Sequence, residues 1–374
     1  MGGVSALLPD FPWDSLTAYG ERARAHPDGI VDLSIGTPVD PTPQVVQDAL
    51  RAAADSPGYP TTIGLPQTRQ ACIDWLARRF GVTGLDLDPS PGSGHGAVLP
   101  LIGSKELIAS LPTHLGVGAG DLVVVPRLAY PTYEVGARLV GARVLAADSL
   151  TAIGPERPRI LWINSPSNPT GKVLPVDHLR KVVDWCRDRD VLLVSDECYL
   201  ELGWDPDQQP VSVLHPEVSG GSADGILTVH SLSKRSNLAG YRCAFVAGDA
   251  RVVSELLAVR KHLGLQMPGP QQRAMVAALS DDSHVDEQHA RYAARRTTLR
   301  AAVEAAGLRV DDSEGSLYLW ATRDEPCLET VAWFAERGIL VAPGTFYGPA
   351  GSQHVRIAFT ATDERIAAAA ARLS

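Results

Sequence analysis

No run of about eighteen consecutive apolar residues occurs in the 374-residue sequence, so no segment reads as a transmembrane helix. The N-terminus has no basic stretch leading into an apolar core, which argues against a secretory signal peptide. Met1-Gly2 is not followed by the Ser or Thr that N-myristoylation requires, because Ala6 stands at that position. Cysteine is scarce. Cys72, Cys186, Cys198, Cys243 and Cys327 are odd in number and form no C-x-x-C, a pattern that fits reduced thiols buried as small apolar residues in a cytoplasmic protein. Positive charge is also in deficit: 34 Lys and Arg against 43 Asp and Glu give a formal net charge of −9, the wrong sign for a main partner that is nucleic acid. Hydrophobic content of 45% with 21% charged residues is ordinary for a globular chain, and the length suffices for two domains with cores of their own.

Several chemistries also lack their signatures. There is no G-x-S-x-G, so a serine hydrolase has no support. Gly92-Ser-Gly-His-Gly96 has neither the spacing nor the strand-to-helix setting of a dinucleotide loop and reads as a flexible surface connection. His284 and His289 are five apart rather than four, so they do not share a helix face, and no metal is expected. No internal repeat is visible. Ala367 to Ala371 reads as the last helix.

What is present gathers at the ends of apolar runs. Ile160-Leu-Trp-Ile163 leads into Asn164-Ser-Pro-Ser-Asn-Pro-Thr-Gly171, Val191-Leu-Leu-Val194 into Ser195-Asp-Glu-Cys-Tyr199, and Gly225-Ile-Leu-Thr-Val229 toward Ser231-Leu-Ser-Lys234. Short runs of this kind read as buried strands. Between the first two, Leu179, Val182, Val183 and Cys186 recur at helical spacing. Strand, helix, strand in this rhythm predicts an α/β fold with a mostly parallel central sheet and helices on both faces. Ligands of such sheets bind beyond the carboxyl ends of the strands, which is where Asn168, Asp196, Tyr199 and Lys234 all fall.

These residue types suit a pyridine aldehyde carrying a phosphate, pyridoxal 5'-phosphate (PLP). Lysine condenses with aldehydes and can carry a proton at the reacting carbon. A carboxylate (Asp196) opposite a ring nitrogen keeps it protonated. A phenol (Tyr199) and an amide (Asn168) can hydrogen-bond a ring oxygen. Ser231, Ser233 and the forked donor of Arg242 can hold a phosphate.

These three strand-end segments, with Gly240-Tyr-Arg242, resemble the central motifs of the fold-type I PLP enzymes of the aspartate aminotransferase superfamily, and the similarity covers nearly the whole chain. It implies a PLP-binding large domain plus a smaller α+β domain. Lys234 corresponds to the lysine that carries the cofactor, Asp196 to the pyridinium partner, and Tyr199 and Asn168 to the ligands of the ring 3-oxygen. By the same resemblance, Gly103, Ser104 and Lys105 form the turn that receives the phosphate at a helix N-terminus, and Tyr130 stacks on the ring. Arg356 clamps the substrate α-carboxylate, with Gly36 and Asn168 lining that pocket. Tyr59 reaches the phosphate site of a partner subunit, and Lys261 to Pro270 resembles a loop entering the partner's site, which implies a homodimer with composite sites. One departure is that Ala244 stands where the family usually has glycine, after Cys243.

Within the superfamily, Ser233-Lys-Arg-Ser-Asn237, Leu128-Ala-Tyr-Pro-Thr-Tyr-Glu-Val-Gly-Ala137, Ile102-Gly-Ser-Lys-Glu106 and Phe11-Pro-Trp-Asp14 resemble the actinobacterial N-succinyldiaminopimelate aminotransferases of lysine and diaminopimelate biosynthesis. Aminotransfer with 2-oxoglutarate is the implied reaction. A sibling aminotransferase for aspartate, aromatic or acylornithine substrates, or a PLP β-lyase, shares the core motifs. The substrate's distal carboxylates call for further cations, for which Arg235, Lys261 and His262 are candidates. The expected organisation is an N-terminal arm with extended segments (1–45) packing with the small domain, a large PLP-binding domain (46–288) and a small C-terminal domain (289–374). In the last, a helix over 290–305 and strands near 308–310, 316–320, 339–341 and 355–359 are expected.

Overall fold

The structure, a computed structural model, describes residues 8–9, 12–90 and 92–374. Met1, Gly2, Ala6 and Phe11 lie outside them. In chain order the strands are β1 (Val31–Asp32), β2 (Gly96–Leu101), β3 (Leu122–Val125), β4 (Arg143–Ala146), β5 (Ile160–Asn164), β6 (Leu192–Asp196) and β7 (Ile226–Ser231). They continue as β8 (Ala244–Asp249), β9 (Arg309–Asp311), β10 (Tyr318–Thr322), β11 (Ile339–Leu340), β12 (Ala342–Pro343) and β13 (His354–Ala358).

Seven of them form the central sheet, in the order β2-β8-β7-β6-β5-β3-β4. The five strands from β7 to β4 run parallel, while β8 is antiparallel to both of its neighbours. β3 and β5 are buried at every position, as parallel strands covered on both faces should be. Alternate residues of β5 feed different cores: Leu161 and Ile163 pack with helix Val176–Asp188 through Leu179, Val182, Val183 and Cys186, whereas Ile160 and Trp162 pack into the cluster on the opposite face. Ala244 opens β8 fully buried, opposite Leu101 on one side and Ser231 on the other.

A second sheet, β12-β13-β10-β9, is antiparallel and covers one side of a separate core. The N-terminal stretch, expected as an arm with extended segments, also holds a 3-10 turn at Pro12–Leu16 and an α-helix at Thr17–Arg24, where no β-branched run competes with helix. That helix packs on helix Cys327–Glu336, and β1 then pairs in parallel with β11. The helix expected over 290–305 begins earlier, at Ser283, so residues 288 and 289 sit within one continuous helix. Its Arg295 ties the chain ends together, donating to both carboxylate oxygens of Asp40 (2.6 and 2.7 Å) and to Asp363 (2.6 Å).

The glycine-rich segment before β2 differs from expectation. Gly92 to His95 form a turn, but Gly96 is the first residue of β2, and a Cβ there would lie 2.6 Å from the carbonyl oxygen of Gly248 and 2.7 Å from Leu85. Its missing side chain serves close packing. His284 bonds Ser236 (2.8 Å) and Asp281 (2.6 Å), and His289 bonds the Gly203 carbonyl (3.0 Å) while stacking on Trp204. Among the described residues no group of His, Cys, Asp and Glu is arranged to hold a metal. No helix among them is long and apolar enough to cross a membrane.

Candidate active site

The parallel strands β5, β6 and β7 end side by side, and each delivers polar residues to the same crevice. β6 ends at Asp196, whose carboxylate accepts from the Tyr133 hydroxyl at 2.6 Å and from the Cys198 amide at 3.2 Å. Burial pushes this carboxyl above its usual range, against the pull of those bonds. Tyr133 is fully buried and stacks on Trp162 with ring centroids 4.7 Å apart. β5 ends at Asn164, whose side chain donates to the Asp196 and Pro166 carbonyls (2.8 and 3.1 Å) and accepts from the Asn168 amide (2.7 Å). It therefore shapes the loop that presents Asn168. Neither Tyr133 nor Asn164 was singled out for a role in the sequence. A tyrosine three residues after Tyr130 was the available signal for the first.

Beyond β7, Ser231 caps a single helical turn, accepting from the Ser233 amide (3.2 Å), and this turn carries Lys234. The Lys234 ammonium donates to the Gly36 carbonyl at 2.7 Å. Burial lowers its pKa, so the free amine forms more readily than on an exposed lysine. Arg242 has a left-handed backbone (φ +59°) and folds back to donate to the Ala239 carbonyl at 2.9 Å. The rest of its guanidinium lies against Gly103, where a Cβ would collide with it. Gly103 itself has φ +97° and precedes helix Ser104–His114. A positive fork, the start of a helix and a glycine kept bare between them make a concavity of the kind a phosphate dianion can fill. Lys105 and Tyr130 stand at the same rim, the ammonium 5.9 Å from the ring centroid.

The small sheet closes the opposite wall. Arg356, on β13, is buried and donates to Asn168 Oδ1 at 2.9 Å and to the backbone carbonyls of Ser34 and Ile35. Its guanidinium carbon lies 4.0 Å from the centroid of Tyr318, on β10, and 5.0 Å from that of Tyr347. The Tyr318 hydroxyl is 2.9 Å from that of Tyr199. Gly36, Asn168, Asp196, Tyr199, Ser231, Ser233, Lys234, Arg242 and Arg356 are thus assembled around one crevice, with Gly103, Ser104, Lys105 and Tyr130 at its phosphate-like end.

Not every expected residue joins them. Arg235 turns away: it is buried in an ion pair with Glu201 and donates to Ser236 Oγ and the Ala278 carbonyl, both at 2.9 Å. Its guanidinium carbon sits 5.4 Å from the Trp75 ring centroid. This arginine is committed to the scaffold, which removes it as a binder of distal carboxylates. Lys261 and His262 are exposed at the end of helix Ala250–Leu263, and among the described residues neither shares a hydrogen bond or ion pair with the Arg356 constellation. Tyr59 is 99% exposed, so within one protomer it contacts nothing of the site.

A fold of this kind, with a buried lysine, carboxylate and arginine brought to the ends of parallel strands, suits cofactor-dependent group transfer. A model of the family Aminotransferase class I and II matches residues 28–373, and the chain belongs to that family. Its members use PLP, and the chain is a PLP-dependent transaminase acting on amino and oxo acids. A probable aminotransferase of Mycobacterium tuberculosis is 62% identical over 373 residues, covering 100% of this chain and 87% of the relative. The 4-dedimethylamino-4-oxo-anhydrotetracycline transaminase OxyQ of Streptomyces rimosus is 60% identical, covering 98% of this chain and 99% of its own. Among solved structures, a probable N-succinyldiaminopimelate aminotransferase from Thermus thermophilus superposes with a TM-score of 0.85 at 28% identity, over 97% of this chain and 99% of that one.

Proposed function

We propose that this transaminase moves an amino group between N-succinyl-LL-2,6-diaminopimelate and 2-oxoglutarate. The observation that carries the amino-acid half is Arg356, held against Asn168 on the wall facing Lys234. A buried guanidinium with donors in a fixed plane is suited to an α-carboxylate. Support for the distal half comes from the motif resemblance and from the Thermus structure, whose name carries that substrate.

PLP, when bound, supplies the electron-withdrawing ring that lets an amino acid's Cα–H ionise. Lys234 would hold its aldehyde, and its free amine would take and return the proton at the substrate Cα. Asp196, oriented by Tyr133, keeps the ring nitrogen protonated. Tyr199 and Asn168 would donate to the ring 3-oxygen, and Tyr130 would cover the ring face. Arg242, Ser231, Ser233 and the turn Gly103-Ser104-Lys105 would hold the phosphate. Tyr59 completes the phosphate site of a second subunit in a two-fold homodimer, which accounts for its exposure in a single protomer.

OxyQ's similarity along its full length favours a second reading, in which the amino acceptor is a bulky cyclic ketone and only the glutamate half needs Arg356. A substrate panel separates the two. Under the first reading kcat/KM is highest for N-succinyl-LL-diaminopimelate and falls sharply for aspartate, phenylalanine and leucine, which lack its long arm and the carboxylates that arm carries. Equal or better use of aspartate or an aromatic donor would sink this substrate assignment. Faster amination of 4-dedimethylamino-4-oxo-anhydrotetracycline by glutamate would establish the second reading.

A further inference from the structure

Tyr318 was not singled out in the sequence, yet it joins three parts of the site. Its hydroxyl meets that of Tyr199 at 2.9 Å, and its ring lies 4.0 Å from the Arg356 guanidinium carbon. Its ring edge fills the space beside Gly36, where a Cβ would come within 2.5 Å of Cε1. The Gly36 carbonyl in turn accepts from Lys234. Each phenol has a single hydrogen to donate. If Tyr199 gives its hydrogen to the cofactor's ring oxygen, the buried Tyr199–Tyr318 contact stays a hydrogen bond only when Tyr318 is the donor; otherwise two oxygen lone pairs face each other out of reach of water.

We propose that Tyr318 is a positioning residue that donates to Tyr199 in the loaded enzyme and so strengthens Tyr199 as a donor to the cofactor. This rests on the role given to Tyr199 above. In the cofactor-free protein either hydroxyl can be the donor, and the charges around the pair favour Tyr199 in that role. Burial pushes the Tyr318 phenol up, but Arg356, Lys234 and the bond from Tyr199 outweigh it and hold Tyr318 below its ordinary value, while burial and Tyr318 hold Tyr199 well above. Tyr318 is then the better acceptor. Loading the site leaves only one sense for the pair, since Tyr199's hydrogen is then engaged elsewhere. The groups that face the pair are Arg356 and Tyr347 from the small-sheet side, Lys234 from the turn after β7, Cys198 from the segment after β6, and Tyr292 from helix Ser283–Ala305.

The test is a pH titration of the visible absorption band of the loaded enzyme in wild type, Tyr318→Phe, Tyr199→Phe and the double variant. Phenylalanine keeps the ring beside Gly36 and Arg356, so the fold is retained. Donation to the ring oxygen favours the deprotonated, more negative chromophore, so Tyr199→Phe raises the midpoint. Tyr318→Phe should raise it in the same direction by roughly half a pH unit, less than Tyr199→Phe does. The double variant should match Tyr199→Phe alone, because Tyr318 acts through Tyr199. An unchanged midpoint in Tyr318→Phe beside a shifted one in Tyr199→Phe, or strictly additive shifts, overturns the inference alone. No shift in Tyr199→Phe overturns the Tyr199 assignment and this inference with it.

Discussion

The two sheets that face each other across the site contribute to it in opposite ways. The central sheet presents its residues from turns just past the strand ends: Asn168 after β5, Asp196 and Tyr199 at and after β6, Lys234 after β7. The small sheet presents Tyr318 and Arg356 from within β10 and β13, on one face of paired strands, with Trp320 opposite Arg356 and Ala358 opposite Tyr318. The first arrangement lets loops vary around a rigid frame. The second fixes the arginine and the phenol by strand register, so neither can move without the sheet.

The largest expected effect tests the central-sheet side. Lys234→Ala removes both the tether and the proton carrier at the substrate Cα, so single-turnover conversion should fall by roughly 10⁴-fold or more, and borohydride should no longer fix the cofactor to the chain. Normal turnover with a reducible linkage in this variant would falsify the assignment. The counterpart on the small sheet is Arg356→Ala. Removing a buried, forked donor should lower kcat/KM for amino acids by on the order of 10²–10³-fold, and Arg356→Lys should recover little, because a point charge cannot reproduce the fork. If Arg356→Ala kept full efficiency, the small sheet would be no more than a cover.

A third substitution separates scaffold from site at adjacent positions. Arg235→Ala leaves Glu201 buried with only Arg79 (3.1 Å) and the Trp75 indole (3.3 Å) as partners. Denaturant unfolding should show a loss of about 3 kcal/mol, while turnover per folded molecule is retained. A stable Arg235→Ala protein with altered substrate preference would restore Arg235 to the substrate pocket.

The same contrast explains what could be read from the sequence. Residues past the parallel strand ends stand out because polar, proline-linked or lysine-bearing segments interrupt apolar runs, and the structure brings Asn168, Asp196, Tyr199 and Lys234 together as that pattern implied. Tyr318 and Tyr347 lie in an aromatic-rich stretch and a short 3-10 turn, where tyrosine reads as core. Tyr133 and Asn164 stand inside segments that carry the resemblance, but nothing in their spacing gave either a role of its own. Arg235, next to Lys234, could be read as pointing away to support the fold, but its partners Glu201 and Trp75 could not, because they are remote in sequence and adjacent only in space. The helical N-terminal stretch was missed because its weak helix has a mixed pattern and is held by Cys327–Glu336, over 300 residues away.

The finest comparison is between two neighbours at the end of β6, Asp196 and Glu197, which face opposite ways. Asp196 looks into the site. Glu197 looks into the core, accepting from the Val213 amide at 2.9 Å, with a carboxylate oxygen 3.7 Å from His230 Nε2. Burial drives the two partners in opposite directions, Glu197 up to about 7 and His230 down to about 3. Around neutral pH His230 is therefore uncharged, and the contact, also long for a hydrogen bond, is not an ion pair. Between its ordinary value of 4.5 and about 7, Glu197 keeps a proton in the folded protein that the unfolded chain has released, so its contribution makes stability fall as pH rises. His230 does the reverse between about 3 and its ordinary 6.5, where the unfolded chain holds the extra proton, so its contribution makes stability rise. The two slopes oppose each other between 4.5 and 6.5. Glu197→Gln removes only the falling one, so the variant should gain stability on the order of 1 kcal/mol relative to wild type as pH rises through that window. Denaturation midpoints measured at both ends of the window check this. A difference between variant and wild type that stays constant with pH would show that Glu197 is already ionised in the fold and that the two adjacent acids differ less than their surroundings imply.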